Sequence, residues 1–132
     1  VIGRIGCSTR GKTYVVPIAY FYNGKDIYAH TKEGMKTDMM RQNPNICFEV
    51  DRIENLSNWQ SVIVWGKYEE LKGKKAEEAL QALVNRIHPI SSSEVSVPRH
   101  GLERPDSPVN PAIKPVVFRI RVEKASGKYE KS

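Results

Sequence analysis

Cysteine is nearly absent: Cys7 and Cys47 are the only two, and they lack CxxC spacing. That argues against a disulfide scaffold or a thiolate metal centre, and it predicts buried, reduced thiols in a cytoplasmic protein. Long apolar runs are missing as well. None approaches the roughly 18 residues of a membrane span. No signal-peptide pattern opens the chain, although its start at Val1 rather than at methionine leaves room for a piece ahead of it. No GxGxxG occurs, so a dedicated dinucleotide site is not expected. The formal charge is +6, yet no dense Lys/Arg block with interleaved aromatics is found. The sign suggests an anionic partner, whether nucleic acid, a membrane surface or a phosphorylated small molecule. Much of the excess sits in Lys72, Lys74, Lys75, Lys124, Lys128 and Lys131, which read as solvated surface.

What is present centres on Ile27–Asn43, IYAHTKEGMKTDMMRQN. Ile27 to His30 alternate apolar and polar residues, and Lys36 to Gln42 read as a short helix with Met35, Met39 and Met40 on one side. The junction Thr31-Lys32-Glu33-Gly34 therefore leads from a strand into a helix start, where unpaired N–H groups and the helix dipole favour an anion. Thr31 offers a hydroxyl, Gly34 a close backbone approach and Lys36 a full charge. No strict phosphate fingerprint lies within this stretch, and the alternative is that Thr31 caps a surface helix while Lys32, Lys36 and Arg41 are solvated.

The 132 residues are read as one domain, 1–132, large enough for a core without staples. Ile2–Cys7 is a strand candidate and 8–12 a turn. Thr13–Tyr22 is a strand by residue type, nearly continuous in apolar residues as if covered on both faces. Pro17 places part of it at an edge, a bulge or an opening in the sheet. Asn23-Gly24 signals a hairpin into Asp26–His30. Asn43-Pro44 stops the helix, Ile46–Val50 is a strand, Asp51–Gln60 reads as a polar loop, and Ser61–Leu71 is a strand with a bend or bulge at Gly66. Ala76, Leu80, Leu83, Val84 and Ile87 mark one face of an amphipathic helix over Gly73–His88. Pro89–Pro115 is a Pro/Ser-rich excursion, and Val116–Val122 alternates as a closing strand. The fold class is mainly β: about six antiparallel strands in a closed or split β-barrel, with two appended helices.

The segments YVVPIAYFYNGKDIYAHTKEGMKTDMMRQNPNICFEVD (Tyr14 to Asp51) and NWQSVIVWGKYEEL (Asn58 to Leu71) together resemble the FMN-binding split barrel of the pyridoxamine 5'-phosphate oxidase-like superfamily. Within it the resemblance is to the branch that includes the nitroimidazole-resistance proteins. It implies a homodimer holding two FMN molecules in clefts at the subunit interface. It also implies that Val15, Val16, Pro17 and Ile18 lie along the isoalloxazine ring, largely through backbone groups. His30, Thr31 and Lys36 would lie near the ribityl and phosphate end, and Trp59, Gln60 and Ser61 would contribute to the cleft, in part from the partner subunit. His30 stays open between a cofactor contact, a proton donor near neutral pH and a satisfied structural histidine. Arg41 is read as near the phosphate or solvated. The chain departs from pyridoxamine 5'-phosphate oxidase itself: Met35 precedes Lys36 where that enzyme has a basic pair, and Thr13 and Ile18 stand where it has Arg and Lys. Oxidation of pyridoxamine phosphate is therefore not expected.

The leading expectation is an FMN-dependent oxidoreductase acting on a small flat acceptor such as a nitroaromatic, with no nucleic-acid or membrane partner. A non-catalytic FMN carrier, sensor or electron mediator is the second reading. Haem or deazaflavin binding is a narrower rival, with His30, His88 and His100 the only candidate axial histidines. Single-stranded nucleic acid stacking on Tyr14, Tyr20, Phe21, Tyr22 and Tyr28 is the remotest, because these aromatics fall on both strand faces.

Overall fold

The computed structural model describes residues 2–93 and 115–131. Six strands and two helices follow in the order β1 (Ile2–Thr9), β2 (Lys12–Tyr22), β3 (Ile27–Thr31), α1 (Met35–Gln42), β4 (Asn45–Asn55), β5 (Asn58–Glu70), α2 (Gly73–Ser93) and β6 (Val116–Lys131). Every strand pair is antiparallel, and the sheet closes into a barrel in the order β1-β2-β3-β6-β5-β4. Arg10 and Gly11 both have positive φ, the backbone that lets a two-residue hairpin follow strand twist, and so they join β1 to β2. The Asn23-Gly24 signal also marks a hairpin, with a longer loop. The Asn23 side chain accepts the N–H groups of Lys25 and Asp26, and pairing resumes at Tyr22 opposite Ile27.

Alternation decides which side chains fill the barrel. Ile5, Ile18, Ile27, Phe48, Val64, Tyr68, Phe118 and Ile120 point inward and are buried with Met39 and Met40 of α1. Tyr20 meets Phe48 edge-on at 4.8 Å. Met35, expected beside them, is instead half exposed, since it opens the helix before α1 reaches the barrel. A second cluster, Leu71, Ala79 and Val117, packs α2 on the outside of β3 and β6.

Three boundaries need correction. The polar run 51–60 is no loop: β4 and β5 pair continuously from Asn45↔Lys67 to Ile53↔Trp59 and turn at 56–57. Likewise β6 does not end at Val122 but pairs with β5 to Asn58↔Lys131. Beyond Asp51 the three strands form an arm clear of the core, so neither face is buried and no apolar alternation betrays the strands. Helix α2 also continues past His88 to Ser93, and the rest of the expected Pro/Ser-rich excursion lies outside the described residues. No described helix is long and apolar enough to cross a membrane.

Gly66 does mark a bulge. Trp65 pairs with Lys124 and Gly66 with Val122, leaving Glu123 as the extra residue on β6. A Cβ at Gly66 would lie 2.4 Å from the Arg121 carbonyl oxygen, whereas at Gly127 its nearest neighbour would be 3.7 Å away. Gly66→Ala should lower unfolding free energy by about 1 to 3 kcal/mol in urea titrations, with Gly127→Ala close to wild type. Equal midpoints for the two variants would contradict this account of the bulge.

Candidate functional site

The β3–α1 junction forms as the sequence suggests, with different residues in charge of it. Thr31 does not cap the helix. It is the buried last residue of β3, opposite Val116, and the N-cap is Gly34, which offers no side-chain acceptor to the first-turn N–H groups. Thr37, overlooked in the sequence, is fully buried and stabilises the entry: its hydroxyl accepts the Gly34 N–H at 3.0 Å, with the Gly34 carbonyl at 2.9 Å as an acceptor for its own proton. The signal was available, because a threonine at the third helical position can reach back to the N-cap backbone.

Lys36 leaves this turn half-buried, and burial depresses its pKa, while the neighbouring Cys7 acts the other way. Among the described residues no carboxylate lies within ion-pair distance of it. Burial pushes the Cys7 thiol up, against the opposing pull of Lys36. Cys7 faces the barrel core, whereas Cys47, the partner of Gly6, is on a strand face opposite that of the buried Ile46 and Phe48, so the two thiols point to different sides of the sheet.

Arg41 stays on the exposed surface, as the solvated reading has it, but its guanidinium is engaged by carboxylates. Its guanidinium holds Glu33 through two bonds of 2.7 Å each and Glu70 of β5 through one of 2.9 Å. These bonds raise the Arg41 pKa, Glu33 being the larger cause, and the same contact holds the Glu33 carboxyl below its usual range. Burial would raise the pKa of Glu70, but hydrogen bonds from Arg41, Lys72 and Tyr68 outweigh it and leave it at about 2.

The remaining predicted residues divide by strand face and by position. On β2, Val16 and Ile18 face the core, while Val15 is 61% exposed and Pro17 is exposed as well. The expectation that both faces of this strand are covered therefore fails within one chain. From Lys12 to Ala19, β2 pairs only with β1; β3 joins it only from Tyr20 to Tyr22. Pro17 thus sits where the second edge of β2 has no strand beside it among the described residues. His30, just 2% exposed, shares the face of Tyr28 and pairs with Val117, on the side of β3 that meets α2.

Trp59, Gln60 and Ser61 lie on the β4–β5–β6 arm. Trp59 donates its indole N–H to Glu130, Ser61 donates to Glu49 at 2.8 Å, and Gln60 is exposed. Ser61 pairs with Asp51, whereas Cys7 follows Gly6, the partner of Cys47. At about 3.3 Å per residue along β4 this is a separation of roughly 15 Å. One chain therefore sets Lys36 beside Cys7, whose partner Tyr14 precedes Val15 on β2, and leaves Trp59–Ser61 out on the arm. Between them the outer sheet face carries the row Val15, Gly6, Cys47 and Trp65, adjacent through successive strand pairings, with Trp65 42% exposed.

Two other features are not parts of the site. Gly6–Thr13 reads GCSTRGKT, which fits the P-loop spelling GxxxxGK[ST]. Its residues form the β1–β2 hairpin, with no helix after the second glycine to complete a phosphate cradle. A cavity of about 550 Å³ beside the bulge is lined by Lys67, Glu69, Arg121 and Glu123 among others, and includes none of the predicted residues. Among the described residues no cluster suited to a metal ion occurs.

Comparison with known proteins gives a consistent result. A family model described as pyridoxamine 5'-phosphate oxidase matches residues 1–129. An FAD-binding protein from Mesorhizobium loti superposes with TM-score 0.75 at 28% identity, over 99% of this chain and 85% of that one. A candidate 5-nitroimidazole antibiotic resistance protein from Bacteroides thetaiotaomicron shares the fold with TM-score 0.66 at 22% identity, over 96% and 75% of the two chains. An uncharacterised protein of Rhizobium meliloti is 34% identical over 70 residues, 53% of this chain and 46% of its own length, so the match spans less than half of that relative.

The Arg41–Glu70 contact carries a pH dependence. Because the folded pKa of Glu70 is about 2 and an unfolded glutamate titrates near about 4.3, its stabilisation is complete above the unfolded value and disappears as pH falls through the folded one. The melting temperature of Glu70→Gln should therefore fall less steeply than that of wild type between about pH 4.5 and 2. Parallel curves would remove Glu70 from the acid transition.

Proposed function

The chain belongs to the pyridoxamine 5'-phosphate oxidase family, and from that premise we propose that it is a flavoprotein that binds FMN at a homodimer interface and acts as an oxidoreductase. The observation that carries the reading is Lys36, a half-buried ammonium without a carboxylate partner among the described residues, beside a helix start whose N-cap has no side chain. An anion offsets the cost of holding that charge out of water, and a phosphate monoester also matches the first-turn N–H groups.

The rest of the site fits the same group. The open edge of β2 offers the backbone groups that β1 leaves free, on alternate residues of Val15–Ile18, to the rim of a flat ring, with Pro17 keeping the edge from recruiting another strand. Thr31 stands one turn ahead of Lys36, at the ribityl side of the phosphate. Trp59, Gln60 and Ser61 are too far along β4 to join Lys36 within one chain, and a second copy supplies them. The exposed Val15 and Trp65 on the intervening face give that copy an apolar surface to cover. His30, sealed against the α2 side of β3, fixes the strand that leads into the phosphate turn rather than donating a proton.

When bound, FMN supplies hydride or single-electron transfer. The chain orients the ring, holds the phosphate and leaves one ring face to a flat acceptor, a nitroaromatic being the favoured class. Oxidation of pyridoxamine phosphate is disfavoured by Thr13, Ile18 and Met35, which put neutral side chains where that enzyme uses cations. The Mesorhizobium loti protein is described as FAD-binding, so FMN and FAD are compared directly in the test. We place the protein in the cytoplasm as a single unit, consistent with two thiols that face opposite sides of a sheet.

Purified protein should show flavin absorbance near one FMN per subunit and sediment as a dimer. Lys36→Ala should weaken FMN by about tenfold to a hundredfold and hardly change riboflavin, which lacks the phosphate. Trp65→Glu should yield monomers and lose flavin together. A colourless wild type that takes up neither FMN nor FAD would sink the reading; tighter FAD binding would replace FMN as the cofactor.

A further inference from the structure

Helix α1 is short, eight residues, and its N-cap contributes no side-chain bond. Isolated helices below about 12 residues are marginal in water, so something outside the helix must hold its first turn. Glu33, Thr37 and Arg41 follow one another at intervals of four residues and therefore stack on one helix face. The Thr37 hydroxyl lies 3.3 Å from the Glu33 carboxylate, and Arg41 closes on that carboxylate with both of its terminal nitrogens. One ion pair thus runs the length of the helix, from the residue before its N-cap to its last turn. The far end is fixed in turn: Glu70 on β5 accepts from Arg41, Tyr68 and Lys72.

We propose that Glu33 and Arg41, anchored on Glu70, are positioning residues for the phosphate end of the cofactor, acting by holding the turn that aims Lys36 and the first-turn N–H groups. The inference rests on the flavin reading and goes beyond it by assigning Arg41 a role through Glu33 rather than a contact with the phosphate. Lys36 lies on the neighbouring face with Met40, whose burial points that face at the barrel. If the clamp slackens, the lysine keeps its charge and loses its aim. The fold need not suffer, because the clamp is at the surface: Glu33 is mostly exposed and Arg41 partly so.

The test separates geometry from charge and phosphate from ring. Dissociation constants for FMN and riboflavin are measured by flavin fluorescence for wild type, Glu33→Asp and Arg41→Gln. Glu33→Asp keeps the charge but is one methylene too short for the two-point grip. Both variants should weaken FMN by about tenfold, as loss of a supporting residue around a preorganised site typically does, while riboflavin stays within about twofold. Melting temperatures check that each variant is folded, and Glu33→Asp stands as the decisive variant if Arg41→Gln is not. An unchanged ratio of riboflavin to FMN affinity in Glu33→Asp would overturn the inference, as would tighter FMN binding, the sign expected if a released Arg41 grips the phosphate itself. Wild-type protein that binds neither flavin would instead overturn the flavin reading and take this inference with it. FMN binding by wild type, lost in Lys36→Ala but indifferent to Glu33→Asp, would leave the flavin reading standing and remove only the clamp.

Discussion

A sheet of six strands can close on itself only if every strand finds a neighbour on each side, and β2 meets that demand for a fraction of its length. It is paired with β1 from Lys12 to Ala19 but with β3 only from Tyr20 to Tyr22. Nearly everything about the site follows from this partial pairing. The barrel is closed where Tyr20 and Phe48 pack, and it is open where Val15 and Pro17 turn outward. Because β3 leaves β2 early, the chain after Thr31 has room to start a helix beside the gap.

Opposed charges then decide which cation is available. Arg41 bears the more conspicuous charge on α1, yet two carboxylates occupy it. Lys36 has a partly desolvated ammonium beside a thiol and no carboxylate. Glu33, three residues before Lys36, is instead bound to Arg41. The same arrangement ties an eight-residue helix with a glycine N-cap to β5 through Glu70. The arm formed by β4, β5 and β6 has a different consequence. It places Trp59 and Ser61 far from Lys36 on their own chain, because strand register rather than sequence distance sets their separation.

Much of this was legible from residue order. Alternation at Val116–Val122, the hairpin after Tyr22, the stop at Asn43-Pro44 and the irregularity at Gly66 each follow from one local rule, and each is found. The misses share a cause. Asp51–Gln60 and the end of β6 are strands without a buried face, so their pairing partners, not their own pattern, make them extended. Thr31 looked like a cap because it precedes a helix, but its pairing with Val116 commits it to β3 and passes the N-cap to Gly34.

The sequence by itself determined a mainly β chain, the strand-to-helix turn at 31–36 and the cation that turn presents, because these depend on neighbours a few residues apart. Only the tertiary structure decided which charges are already spent on one another, which face of β2 stays exposed and how far Ser61 lies from Lys36. Those depend on strand register and on pairs as distant as Arg41 with Glu70. Register is a property of two strands at once, and no single stretch of chain encodes it.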